Sequence, residues 1–128
     1  MTPALLDAAG RSAGIGYGAR DGRLWPLFAG ERWSRFTRAS QVAWPRNLVA
    51  AGGCAALGVG LARELVEAGA SLEPVSLSLA AHRRGLRNVY WPFARFQTED
   101  RFAPVDLAEP VEDPYLNPNL APGASTLA

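Results

Sequence analysis

The carboxylates Glu99 and Asp100 are adjacent, as are Glu112 and Asp113. Sequence neighbours point apart, whereas general acid–base work needs opposed groups in a closed site. Both pairs therefore read as a solvated acidic surface. His82 is the sole His and Cys54 the sole Cys. His82 stands beside Arg83 and Arg84 in what reads as an exposed turn, with no Ser–Asp arrangement around it to make a triad. Cys54 lies in the uncharged run 48–62, where a buried, inert thiol is expected. A zinc site or an intrachain disulfide would need more ligands than one Cys and one His. All thirteen basic residues are Arg, so P-loop lysine and Schiff-base lysine chemistry are both closed off. The expectation is a chain that is not an enzyme and has no catalytic residue, cofactor or metal of its own.

Two further patterns touch on ligands. Gly14-Ile15-Gly16-Tyr17-Gly18-Ala19 fits a loose G-x-G-x-x-A spacing. A dinucleotide loop needs a strand before it and a helix after it, and Asp21-Gly22 and Trp25-Pro26 stand where the helix should run. The segment reads as a turn region, with Asp21-Gly22 as a tight turn. From residue 23 to 46, Trp25, Phe28, Trp33, Phe36 and Trp44 interleave with five arginines. Arg with aromatics suits single-stranded nucleic acid. It equally suits a protein interface, where Trp and Arg are favoured anchors.

The charge is unevenly spread. Residues 1–98 hold twelve Arg and six acids, a net of +6, whereas residues 99–128 hold one Arg and six acids, a net of −5. The near-neutral total thus combines a basic body with an acidic tail. The expected organisation is a compact basic domain over 1–98 and an extended, Pro-rich arm over 99–128. Pro104, Pro110, Pro114, Pro118 and Pro122 disfavour helix and central strand there. Val105, Leu107, Val111, Tyr115, Leu116 and Leu120 still give the arm apolar surface, so it is read as docking on another surface. The alternative is an arm that lies on its own domain or is simply disordered.

The elements that must position these residues make an α+β fold, one main helix with a C-terminal hairpin. The helix is placed at 54–68, from Leu57, Leu61, Leu65 and Ala68 on one face and Gly69 as its stop. Gly58 and Gly60 weaken it and suggest close packing by another backbone. Val75, Leu77, Leu79 and Ala81 alternate with smaller or polar residues, which predicts a strand. Residues 89–96 return as its partner, with Pro92 at an edge or bulge, completing a hairpin over 75–96. Thr2 and Pro3 predict a short N-terminal helix ended by Gly10. Residues 24–28 predict an edge strand broken by Pro26, and residues 31–42 a helix with Trp33 and Phe36 on one face. The run 48–62 is too short and glycine-rich to span a bilayer, and the first residues lack a signal-peptide pattern.

The run Ala39-Ser40-Gln41-Val42-Ala43-Trp44-Pro45-Arg46 resembles a motif of small phage proteins described as DnaT-like single-stranded DNA-binding proteins. Their setting is that of head–tail connection components, so the resemblance implies a neck adaptor in a virion. With the basic aromatic stretch 30–38 before the run and the Ala-rich stretch 57–68 after it in comparable places, the resemblance covers about a third of the chain.

The leading functional expectation is a structural subunit of a larger assembly, working by protein–protein binding with other proteins or copies of itself. Such a chain would be cytoplasmic during assembly, and in the virion if the phage reading holds. The expected partner-binding residues are Trp25, Trp33, Arg35, Trp44, Arg46, Trp91, Tyr115, Leu116 and Leu120. Two alternatives stand beside it: an accessory subunit of a multisubunit enzyme, and an Arg/Trp module for single-stranded nucleic acid.

Overall fold

In a computed structural model, which describes residues 1–33 and 41–116, the chain is α+β. Its strands are β1 (Thr2–Leu6), β2 (Tyr17–Arg20), β3 (Arg23–Pro26), β4 (Arg46–Leu48), β5 (Asn88–Gln97) and β6 (Val105–Asp106). Helices α1 (Val59–Glu67) and α2 (Pro74–Arg83) come between β4 and β5, and a 3-10 turn covers Gln41–Ala43. One sheet has the order β1-β5-β4, with β1 parallel and β4 antiparallel to β5. The other is the antiparallel sheet β2-β3-β6. A bridge from Tyr17 to Ala50 joins the end of one to the start of the other.

The β2–β3 hairpin follows from its turn residues. Asp21 and Gly22 both have positive φ, 54° and 72°, the left-handed geometry that matches the twist of a two-residue hairpin. Pro26 falls on the last residue of β3, where a missing N–H costs least. β5 also honours its proline. The register with β1 slips between Pro3 and Ala4, from Trp91 to Arg95, so Pro92, Phe93 and Ala94 form a bulge.

Three expectations are corrected. Residues 75–83 are helix, not strand, so β5 pairs with β1 and β4 and there is no hairpin over 75–96. Pro74 opens α2 and Gly85, at φ 81°, follows its end, the usual start and stop signals of a helix. Ser78 sits inside α2 with its hydroxyl on the Pro74 carbonyl at 2.6 Å, and accepts the Ala51 N–H at 2.7 Å. Second, the main helix begins at Val59, five residues late. The preceding stretch runs against the chain start instead, through Ala56 N–H to Met1 O and Thr2 Oγ1 to Cys54 O. Among the described residues, a Cβ at Gly58 or Gly60 would meet nothing within 4 Å, so none of the described backbone packs closely there. Third, residues 2–6 are strand β1, because parallel pairing with β5 outweighs a short helix that is marginal in isolation. The helix expected over 31–42 is set aside in part: 34–40 lie outside the described residues, and residues 41–43 form the 3-10 turn.

The core has three adjoining parts. Ala4, Ile15, Phe28, Val42, Leu48 and Tyr90 form the first, beneath the β1-β5-β4 sheet. Tyr17, Leu24, Val49 and Leu79 centre the second. Leu65, Leu77 and Ala81 join the two helices in the third.

The acidic segment lies on its own domain as far as it is described. Phe102 stacks on Tyr17 with ring centroids 5.6 Å apart and fills the space that side chains at Gly14 and Gly52 would need. Val105, Leu107 and Val111 pack on the second core part and β6 adds to the sheet. Asp113 accepts the backbone N–H groups of Ala19, Tyr115 and Leu116 at 2.8, 2.9 and 3.1 Å. Phe102, Val105, Leu107, Val111 and Leu116 thus pack on the body's core, so the surface on which this stretch docks is largely the chain's own, with Tyr115 left at the surface.

Candidate interaction surface

Strand β5 is amphipathic in an unusual way: both of its faces carry aromatics. Tyr90 points into the first core part and is buried, its hydroxyl donating to the Val42 carbonyl at 2.6 Å. Burial pushes the Tyr90 phenol above its ordinary pKa, despite the opposing charge of Arg46. Arg95 lies on the same side, its guanidinium 4.4 Å from the centre of the Trp33 ring. Side chains alternate along a strand, so Trp91, beside Pro3, and Phe96, beside Leu5, rise from the opposite face. Phe93 leaves the bulge to meet Trp91 edge to face, with centroids 4.9 Å apart.

These three rings are left in solvent. Trp91 is 41% exposed, Phe93 61% and Phe96 57%. Single exposed apolar residues are commonplace, but adjoining aromatic rings on one sheet face mark contact surfaces. Trp44, which follows the 3-10 turn, is 50% exposed.

The other expected binding residues lie as follows. Trp25 is half-buried in β3, donating its indole N–H to the Arg20 carbonyl at 3.3 Å under the Arg23 guanidinium. Trp33 and Leu116 pack on the first core part. Arg46 lies 4.7 Å over the Phe28 ring, and its partial burial lowers the guanidinium pKa. Tyr115 is at the surface, in edge contact with His82. Arg35 and Leu120 lie outside the described residues. Of the nine, Trp44, Trp91 and Tyr115 are exposed aromatics, whereas Trp25, Trp33, Arg46 and Leu116 are drawn into the fold.

Phe93 and Phe96 were not among the expected residues. The signal was present in Tyr90-Trp91-Pro92-Phe93-Ala94-Arg95-Phe96: a strand with rings at successive positions cannot turn them all to one core. His82 is not an exposed turn residue. It lies in the last turn of α2, half-buried, with Nε2 2.9 Å from the Glu112 carbonyl oxygen. Cys54 is half-buried in the coil before α1.

Among the described residues, no three of His, Cys, Asp and Glu converge, and no helix is long and apolar enough to cross a membrane. Glu99, Asp100 and Glu112 are exposed, and Asp113 is spent on backbone N–H groups. No protein-family model, curated protein or solved structure matches the chain.

Proposed function

We propose that the chain is a structural subunit of a larger assembly and binds another protein through the aromatic face of β5. The observation that carries this reading is the solvent-exposed group Trp91, Phe93 and Phe96 on one side of a sheet whose other side is core. Aromatic anchors of this kind supply most of the binding energy when a partner covers them. The same rings could stack on nucleobases, but such grooves combine stacking with cations that follow the phosphates. Arg95, the arginine of β5, is turned to Trp33 on the other side, which favours a protein partner. An accessory role beside a catalytic chain would use the same surface. The narrower proposal, a head–tail adaptor assembled in the cytoplasm and carried in the virion, rests on the resemblance of residues 39–46.

Native mass measurement of the full chain, alone and drawn from its source, tests the proposal. The wild type is expected in a stable complex, and Phe93→Ser with Phe96→Ser is expected to weaken that complex at least tenfold while leaving the circular dichroism unchanged. A lone monomer from both preparations overturns it. So does a complex indifferent to the double substitution, or a salt-sensitive complex with single-stranded DNA alone.

A further inference from the structure

A cleft of about 230 Å3 opens on another part of the molecule, between the coil before α1, helices α1 and α2, and the entry to β5. Its walls are apolar, made of leucines and alanines: Ala51, Ala56, Leu57, Leu61, Leu77 and Leu86. The polar side chains in the lining are mostly committed to the fold. Thr2 donates to Cys54 O, Ser78 to Pro74 O, and the Asn88 amide to both Val49 O and Ser78 O at 2.9 and 2.8 Å. Asn88 is itself buried, so it braces the wall.

Arg87 differs. It lines the cleft from its solvent side and makes no ion pair or hydrogen bond among the described residues. Among the described residues, no Asp or Glu lines the cleft. An apolar, mostly pre-formed cleft with a few polar groups at its rim is the usual form of a small-molecule site. Charge then selects the ligand: the interior takes hydrocarbon, and the mouth takes an anion. Guanidinium groups favour carboxylates, which they can hold by two parallel hydrogen bonds.

We infer that this cleft binds a small aliphatic carboxylate, its chain among Leu57, Leu61 and Leu77 and its head group on Arg87. The volume equals about eight waters at ~30 Å3 each, which suits an octanoate-sized chain whose carboxylate stays at the mouth. The inference does not rest on the aromatic face of β5.

Calorimetric titration of the full chain with octanoate and with 1-octanol tests it. Octanoate is expected to bind saturably and at least fivefold more tightly than 1-octanol at low salt. Arg87→Gln, a change on an exposed side chain, is expected to weaken octanoate at least fivefold and leave 1-octanol unchanged. Ala55→Phe, placed in the coil so as to fill the cleft, is expected to abolish both while the far-ultraviolet spectrum is retained. Absence of saturable octanoate binding overturns the inference, as does an Arg87→Gln variant that binds octanoate like the wild type. Capture of a peptide with a leucine C-terminus, without octanoate binding, would assign the cleft to a protein chain end and overturn it equally.

Discussion

Gly16→Ala is expected to lower the unfolding free energy by about 4 kcal/mol, combining backbone strain and overpacking at ~1–3 kcal/mol each. Gly16 has φ 141°, and a Cβ there would stand 2.5 Å from Leu48 Cδ1 and 2.7 Å from the Ala50 oxygen. Leu48 is buried and cannot swing away, and Ala50 O accepts the Tyr17 N–H at 2.9 Å. Relief would have to break the bridge that joins the two sheets. Gly10→Ala is the control, because Gly10 also has positive φ, 78°, but a Cβ there meets nothing within 4 Å. It should cost about 1 kcal/mol from backbone strain alone. Thermal unfolding of both variants measures the difference, with a drop for Gly16→Ala of roughly 15 °C at about 4 °C per kcal/mol. Equal melting temperatures would show that close packing does not explain the glycine. The glycine-rich segment thereby has a structural account: Gly16 admits Leu48 and the Ala50 carbonyl, and Gly14 admits Phe102.

What was legible in the sequence was what short-range geometry decides. Asp21-Gly22 can be read as a hairpin turn because few residue pairs tolerate two successive positive φ values. Pro92 can be read as a bulge because it cannot join a regular ladder. Gly69, at φ 110°, ends α1 where its type predicts. The period of α2 is misleading, because Val75, Leu77, Leu79 and Ala81 alternate with smaller or polar residues and so mimic a strand. Within the helix, Leu77, Ser78 and Ala81 are buried together, and the serine is tolerated there by bonding the Pro74 carbonyl. Pro74 and Gly85 carried the better signal. Strand β1 had no local signature, since its conformation comes from a partner some ninety residues away. The candidate site was legible only as Trp91. Phe93 and Phe96 needed the register of β5 against β1 to separate the outward rings from Tyr90, and Trp33 and Leu116 needed the core to show that they are already occupied.

Tyr90 connects that core to the outward rings, and its titration gives a prediction whose sign is fixed by burial. Its hydroxyl holds Val42 in the 3-10 turn, two residues before Trp44, and it is the strand neighbour of Trp91. Burial raises the folded-state phenol pKa above its ordinary value of 10. Below pH 10 the phenol is protonated in both folded and unfolded chains, so its contribution is fully present. Above pH 10 the unfolded chain loses the proton first, and stability falls as pH rises toward the folded pKa. The loss from this group is about 1.4 kcal/mol per pH unit, or roughly 2 kcal/mol by pH 11.5. Tyr90→Phe removes that sensitivity but leaves the Val42 carbonyl without its donor, at a cost of about 1–3 kcal/mol near neutrality. Tyr17 is also raised by burial, so the variant keeps some alkaline slope. Urea unfolding of wild type and Tyr90→Phe at pH 7 and pH 11.5 is expected to show the variant weaker at pH 7 and within about 1 kcal/mol of the wild type at pH 11.5. A gap that stays constant between the two pH values would mean that the Tyr90 phenol is not protected by folding. The hydrogen bond to Val42 would then contribute packing geometry without the desolvation that fixes Tyr90 to the inner face of β5.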